Sequence, residues 1–173
     1  MNKQALALYI GVVLLPLLVV GCSSIDSAVN KIKKVADEYV PLYEYKSTDL
    51  EKMWIQSDAN SNQNLPTAVD ILFIYDQKAA DTLSALSGPD WFAQKRALLL
   101  KYQASILITA LEIVPQSSKQ TVTLPDKFYN AISVLMFANY LAPDGQYLAD
   151  ITQYCELKVT LKNKGYILEE LNP

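Results

Sequence analysis

Histidine is absent from the 173 residues, cysteine occurs twice and glycine five times. Without histidine there is no imidazole base for a Ser-His-Asp or Cys-His nucleophile, and the commonest nitrogen ligand of zinc and iron sites is missing. Beyond residue 21 the glycines are Gly88, Gly145 and Gly165, too far apart for a phosphate-cradling loop or a dinucleotide fingerprint. Positive charge is scarce as well: 15 lysines and arginines against 18 acids leave a formal charge of −3. That is the wrong sign for a nucleic-acid surface. The chemistry left open is carboxylate chemistry, such as glycoside cleavage. Its one candidate, Glu112, stands between Leu111 and Ile113 beside Pro115 with no second carboxylate at a partnering position. A strand-edge glutamate served by solvent or backbone amides is the expectation there. These absences point to no catalytic residue, cofactor, metal or small-molecule substrate.

The N-terminus is where the sequence is specific. One charge, Lys3, precedes 16 apolar or small residues, 5–20, interrupted by Pro16. The run is at the upper length of a secretory h-region and short for a bilayer span of about 20 residues. It ends in "VVGC", Val19 to Cys22. This looks like a bacterial lipobox, in which the small residue admits the signal peptidase and the Cys22 thiol takes the diacylglyceryl group. A transmembrane helix with an incidental cysteine is the weaker reading. Residues 1–21 are then a signal peptide, and the mature chain is residues 22–173 with a formal charge of −4. Cys155 is its second cysteine, so no disulfide framework is expected within the domain. Ser23 and Ser24 follow Cys22, where lipoproteins kept in the inner membrane usually carry aspartate. That resemblance implies the outer membrane, periplasmic face, with the acyl chains as a near-permanent anchor.

Residues 25–40 space Ile25, Val29, Ile32 and Tyr39 as a helix stopped by Pro41. Lys31, Lys33 and Lys34 sit near the anchor, but Asp37 and Glu38 dilute them, and a solvated face is expected rather than head-group contact. Residues 22–50 form this helix and an aromatic linker including "YVPLYEY" (39–45), and 51–173 form the main domain. Strands are expected at 51–57, 67–76, 105–116, 120–124 and 130–141, then a hairpin from Cys155 through "NKG" (163–165) into "YILEEL". Gly165 is expected to supply a positive φ in that turn. Cys155 is expected on the buried face with Leu157, Val159 and Leu161. In the second strand Val69, Ile71, Phe73 and Tyr75 face one way and Asp70, Leu72 and Ile74 the other, so both faces should be covered. Residues 77–102 read as two short helices broken at "SGPD" (87–90), with Asp90 capping the second. The whole suggests a mainly β protein, a β-sandwich decorated by helices, with a single open sheet as the alternative.

In order and spacing, the lipobox, the linker, "NQNLPTAVDILFIYD" (62–76), "EIVPQ" (112–116) and "AISVLMFANY" (131–140) resemble the type VI secretion outer-membrane lipoproteins (the SciN/TssJ family). The resemblance spans roughly 60–162. Departures are a longer step from Pro66 to Tyr75, Gln116 where a glycine commonly follows the proline, and longer segments at 77–102 and 23–50. It implies a transthyretin-like sandwich without enzymatic activity. Such proteins hold the periplasmic domain of a large inner-membrane subunit (the TssM type) at the outer membrane, partly through the loop between the first two strands. Here that loop is 58–65, and Asn60, Asn62, Asn64 and Leu65 are the expected partner-binding residues. Asparagine suits docking because it donates and accepts without the desolvation cost of a charge. Ordinary turn formation is an equal explanation for any one of them. The rival reading is a periplasmic envelope-assembly lipoprotein, a binding or chaperone-like module that uses residues 39–45.

Overall fold

The structure is a computed structural model that describes residues 47–171. The chain divides into two units, Met1–Tyr43 and Glu44–Pro173, and the described residues all belong to the second. Cys22, Ser23, Ser24, the 25–40 helix and the aromatic segment 39–45 lie outside them.

Two four-stranded sheets make a sandwich. The first has the order β4-β1-β7-β8, built from β1 (Lys52–Ser57), β4 (Gln120–Thr121), β7 (Glu156–Leu161) and β8 (Tyr166–Glu170). The second has the order β3-β2-β5-β6, from β2 (Thr67–Ile74), β3 (Ile106–Ile113), β5 (Ser133–Ala138) and β6 (Ala149–Asp150). All neighbours are antiparallel except β1 and β7, which run parallel from Lys52↔Glu156 to Ser57↔Leu161. Period-2 alternation builds the interior: Met53 and Ile55 of β1 meet Leu157, Val159 and Leu161 of β7 and Val69, Ile71 and Phe73 of β2.

β2 is covered on both faces, as its uninterrupted apolar run implies. Its other face, with Leu72 and Ile74, packs under two helices, α1 (Gln77–Leu83) and α2 (Gly88–Lys101), joined by Leu83, Trp91, Leu135 and Phe137. Asp76 caps α1 by accepting from the Ala79 amide at 2.9 Å. Ser87, rather than Asp90, is the N-cap of α2. Asp90 is the third helical residue of a capping box, returning its carboxylate to the Ser87 amide. α2 has 14 residues, so only α1 is short.

Several expectations change in detail. The fifth strand covers six residues, because Phe128–Asn130 forms a 3-10 turn before it and Tyr140 turns out of the ladder after it. Pro143–Gly145 is also a 3-10 turn and leads into β6, too short to show a period. Gly165 keeps a negative φ, because no glycine in the described chain has a positive one. Its role is close approach: a Cβ there would come within 3.2 Å of the Asp144 carbonyl. Cys155 is half-buried and precedes β7 instead of sitting in its buried row. Glu112 is exposed on β3, an edge strand, as expected.

Candidate functional site

β1 fixes the polarity of the domain. The described chain enters beside the β6–β7 connection, with Ser47 donating to the Tyr129 carbonyl at 2.8 Å and Asp49 to the Thr152 carbonyl at 3.0 Å. β1, six residues and about 20 Å long as an extended strand, then delivers the 58–66 loop to the opposite pole. There Ser57 donates to Ser117, Asp58 to Leu161 and Asn62 to Lys162, all through the main chain at 2.9–3.1 Å. The loop thus meets the β3–β4 connection and the β7–β8 turn, and Asn62 Oδ1 accepts from the Leu141 amide at 2.9 Å, tying in the segment after β5.

The loop holds an unusual backbone. Asn62, Gln63 and Asn64 have φ of 43°, 56° and 67°, three consecutive left-handed residues. Each such residue costs roughly 1–2 kcal/mol for most side chains and less for asparagine, whose short amide can bond locally. Asn62 makes those bonds. It is 2% exposed, its Nδ2 donates to the Pro66 carbonyl at 3.1 Å and the Asn139 carbonyl at 3.4 Å, and its own carbonyl accepts from Leu65. Asn62 therefore faces the scaffold, which braces the turn. Asn60, Asn64 and Leu65 face outward, Leu65 at 47% exposure. Asn60 is tied through its carbonyl to Asn163 Nδ2 at 2.8 Å, and Lys162 Nζ bridges to Asp58 at 3.0 Å. Leu141 (56% exposed) and Val114 (54%) sit on segments bonded to this loop and its root, so the pole carries apolar side chains among amides.

The platform beneath is aromatic. Tyr140 is buried beside the loop, and burial raises its hydroxyl well above the usual tyrosine value, with the nearby Lys162 main chain acting in the opposite direction. Gly145 rests on the Tyr140 ring: a Cβ at Gly145 would lie 2.8 Å from ring atom Cδ2. Tyr147 and Tyr166 stack at 4.4 Å, and each hydroxyl donates to the other's carbonyl, at 3.0 and 2.8 Å.

Gln116 carries φ 63° while its amide donates to Asp58 at 3.0 Å, so the position where glycine is usual does need a left-handed residue. Gln116→Gly should raise stability by up to about 1 kcal/mol, because the strain it removes exceeds the backbone entropy glycine adds. Thermal melting checks this, and a lower melting temperature would contradict it.

Sequence reasoning missed Asp70. It is 1% exposed in β2, accepts from Trp91 Nε1 at 2.8 Å and pairs with Lys95 Nζ at 2.8 Å. Trp91 stacks on Phe137 at 5.2 Å. The carboxylate thereby clamps α2 to the sheet. A charge in a strand buried on both faces was the available signal, although nothing local names its partners.

A groove of about 620 Å³ near the chain entry contains Asp150 and Glu170. Both carboxylates serve backbone amides: Asp150 accepts from Thr152 at 3.0 Å, and Glu170 accepts from Cys155 and Glu156 at 2.9 Å each. Among the described residues no cluster of three or more metal-ligating side chains forms, and no helix is long and apolar enough to cross a membrane.

The class defined by this geometry is a transthyretin-like sandwich with an outer helical layer and a braced loop between its first two strands, the TssJ-like fold. No protein family's pattern and no curated protein matches the chain. Among solved structures it is similar to the type VI secretion lipoprotein TssJ1 of Pseudomonas aeruginosa, at TM-score 0.53 and 13% identity, covering 70% of this chain and 95% of that one. It is similar also to Lip of Serratia marcescens, a membrane-bound component of the type VI secretion system, at TM-score 0.50 and 12% identity, covering 70% and 96%.

Proposed function

We propose that this protein is a non-enzymatic, lipid-anchored component of a type VI secretion membrane complex. It holds the periplasmic domain of a large inner-membrane subunit at the outer membrane through the 58–66 loop. The fold likeness and the Cys22 lipobox support the class. The observation that carries the docking role is the left-handed turn at Asn62, Gln63 and Asn64, braced from behind by Asn62 so that Asn64 and Leu65 face outward. A strained, pinned loop presents those side chains at little ordering cost on binding. Asn62 acts as the brace, Asn60 as part of the root, and Asn64 and Leu65 as contact groups.

The test is co-purification of the lipidated protein from envelope membranes of its own host, comparing the parent with the double variant Asn64→Ala, Leu65→Ala. The partner's recovery should fall by roughly tenfold or more, as for loss of a contact worth 1.4 kcal/mol or above. The melting temperature should hold, because both side chains are exposed. Undiminished recovery would reject the loop as the docking surface. The anchor is tested separately: Cys22→Ser should abolish incorporation of labelled fatty acid, because only the thiol accepts the diacylglyceryl group, and persistent label would refute the lipobox.

A further inference from the structure

The four sheet edges are treated unequally. β4 and β6 have two residues each, too short to template another strand. β8 has five and carries Glu169 and Glu170, with Lys164 just before it. β3 has eight, Ile106–Ile113, with Glu112 its single charge and no proline, and among the described residues only β2 pairs with it. Natural sheets guard edges with charge, proline, bulges or brevity. β3 shows none of these beyond one glutamate.

The ladder phase says which groups point outward. Tyr75 donates to the Ser105 carbonyl at 2.9 Å on the β3 side, and Asn139 donates to the Ala68 carbonyl at 2.8 Å on the β5 side. Odd-numbered residues of β3 therefore bond to β2, and Ile106, Ile108, Ala110 and Glu112 turn their main-chain groups away from it. The Ile106 amide is taken by the Tyr102 carbonyl at 3.1 Å. The side chains are incompletely covered too: Leu107 is 42% exposed, and Ile108 and Leu111 are half-buried.

We infer that the β3 edge is a self-association surface, on which a second copy of this chain adds its own β3 antiparallel about a two-fold axis at Thr109. A two-fold contact needs a self-complementary patch, and this one is. With Thr109 on the axis, Leu107 lies opposite Leu111 of the second copy, and Ile108 lies opposite Ala110, apolar against apolar on both faces. With Thr109 central, Glu112 meets Ile106 only at the ends of the pairing; a shift that centres Ala110 would bring Glu112 one pair inward, against the half-buried Ile108. Glu112 lies three residues from the axis, so the two copies' carboxylates stand roughly 20 Å apart and do not repel closely. The pairing joins two four-stranded sheets into one of eight, with the two 58–66 loops at opposite ends of the paired strands. It does not depend on the docking role of that loop.

The test is oxidative cross-linking of the full chain in its own membranes, in a Cys155→Ser background. Thr109→Cys places the two sulfurs on a non-hydrogen-bonded pair with Cα atoms about 4.5 Å apart, within disulfide range. It should run as a disulfide dimer on a non-reducing gel. Glu112→Cys, about 20 Å from its mate, should stay monomeric, as should the background without an added cysteine. Adding Ala110→Pro to Thr109→Cys should abolish the dimer, because the proline removes an outward amide and spares the bonds to β2. No dimer with Thr109→Cys, equal dimer with Glu112→Cys, or a dimer indifferent to Ala110→Pro would overturn the inference.

Discussion

Asp70→Ala should lower the unfolding free energy by about 3 kcal/mol. The carboxylate accepts from Trp91 and pairs with Lys95, so its removal strands a fully buried indole N–H and empties the space between α2 and the sheet. Lys95 keeps about a third of its side chain in solvent and can swing out, which holds the loss below that of a fully buried ion pair. Asp70→Asn retains an acceptor for Trp91 and should cost nearer 1 kcal/mol. Lys95→Met should cost more than Asp70→Asn, because it leaves an unpaired carboxylate in the interior. Urea unfolding of the three variants orders these effects. A loss under about 1 kcal/mol for Asp70→Ala would mean that α2 is held by Trp91 and Phe137 packing alone.

Asn62→Ala should be nearly as damaging, about 3 kcal/mol. It leaves the part-buried Leu141 amide without its acceptor, removes two donations to carbonyls, and forces alanine to hold φ 43°. Asn62→Gly removes the same hydrogen bonds without the steric penalty and should recover about 1 kcal/mol of that loss. The pair therefore separates backbone strain from side-chain bonding by unfolding measurements alone. In the co-purification assay both should weaken partner recovery although neither side chain reaches a partner, because Asn64 and Leu65 lose their fixed presentation. Full recovery with Asn62→Ala would show that the turn reforms without its brace.

These two residues also mark how far the sequence could be read. The strands of the sandwich were legible because burial on one or two faces writes itself as period 2 or as an apolar run. β2 is the clearest case, with Val69, Ile71 and Phe73 toward one core and Leu72 and Ile74 toward the other. Asp70 broke that run visibly, but Trp91 and Lys95 stand 21 and 25 positions away, and only the fold brings them to it. In the loop, the asparagines announced a turn, and the resemblance to the secretion lipoproteins implied docking. Their division into one inward brace and two outward groups depends on φ signs and on the Leu141 amide, 79 residues downstream. β6 left no trace because two residues cannot show a period. Gly165 misled because glycine serves close approach as well as left-handed turns, and composition cannot say which.

The parallel pairing of β1 with β7 has a mechanical meaning. A pull applied between the chain entry at residue 47 and the 58–66 loop runs along the axis of β1, across its hydrogen bonds to β7. Both points belong to one chain segment, so the load is borne by the covalent backbone of β1, and the six register positions from Lys52↔Glu156 to Ser57↔Leu161 hold that strand extended without being sheared or unzipped. β4 adds two further positions on the other side of the same strand. Tension between residue 47 and the loop thus passes through one extended strand, while the outer helices lie off the load path.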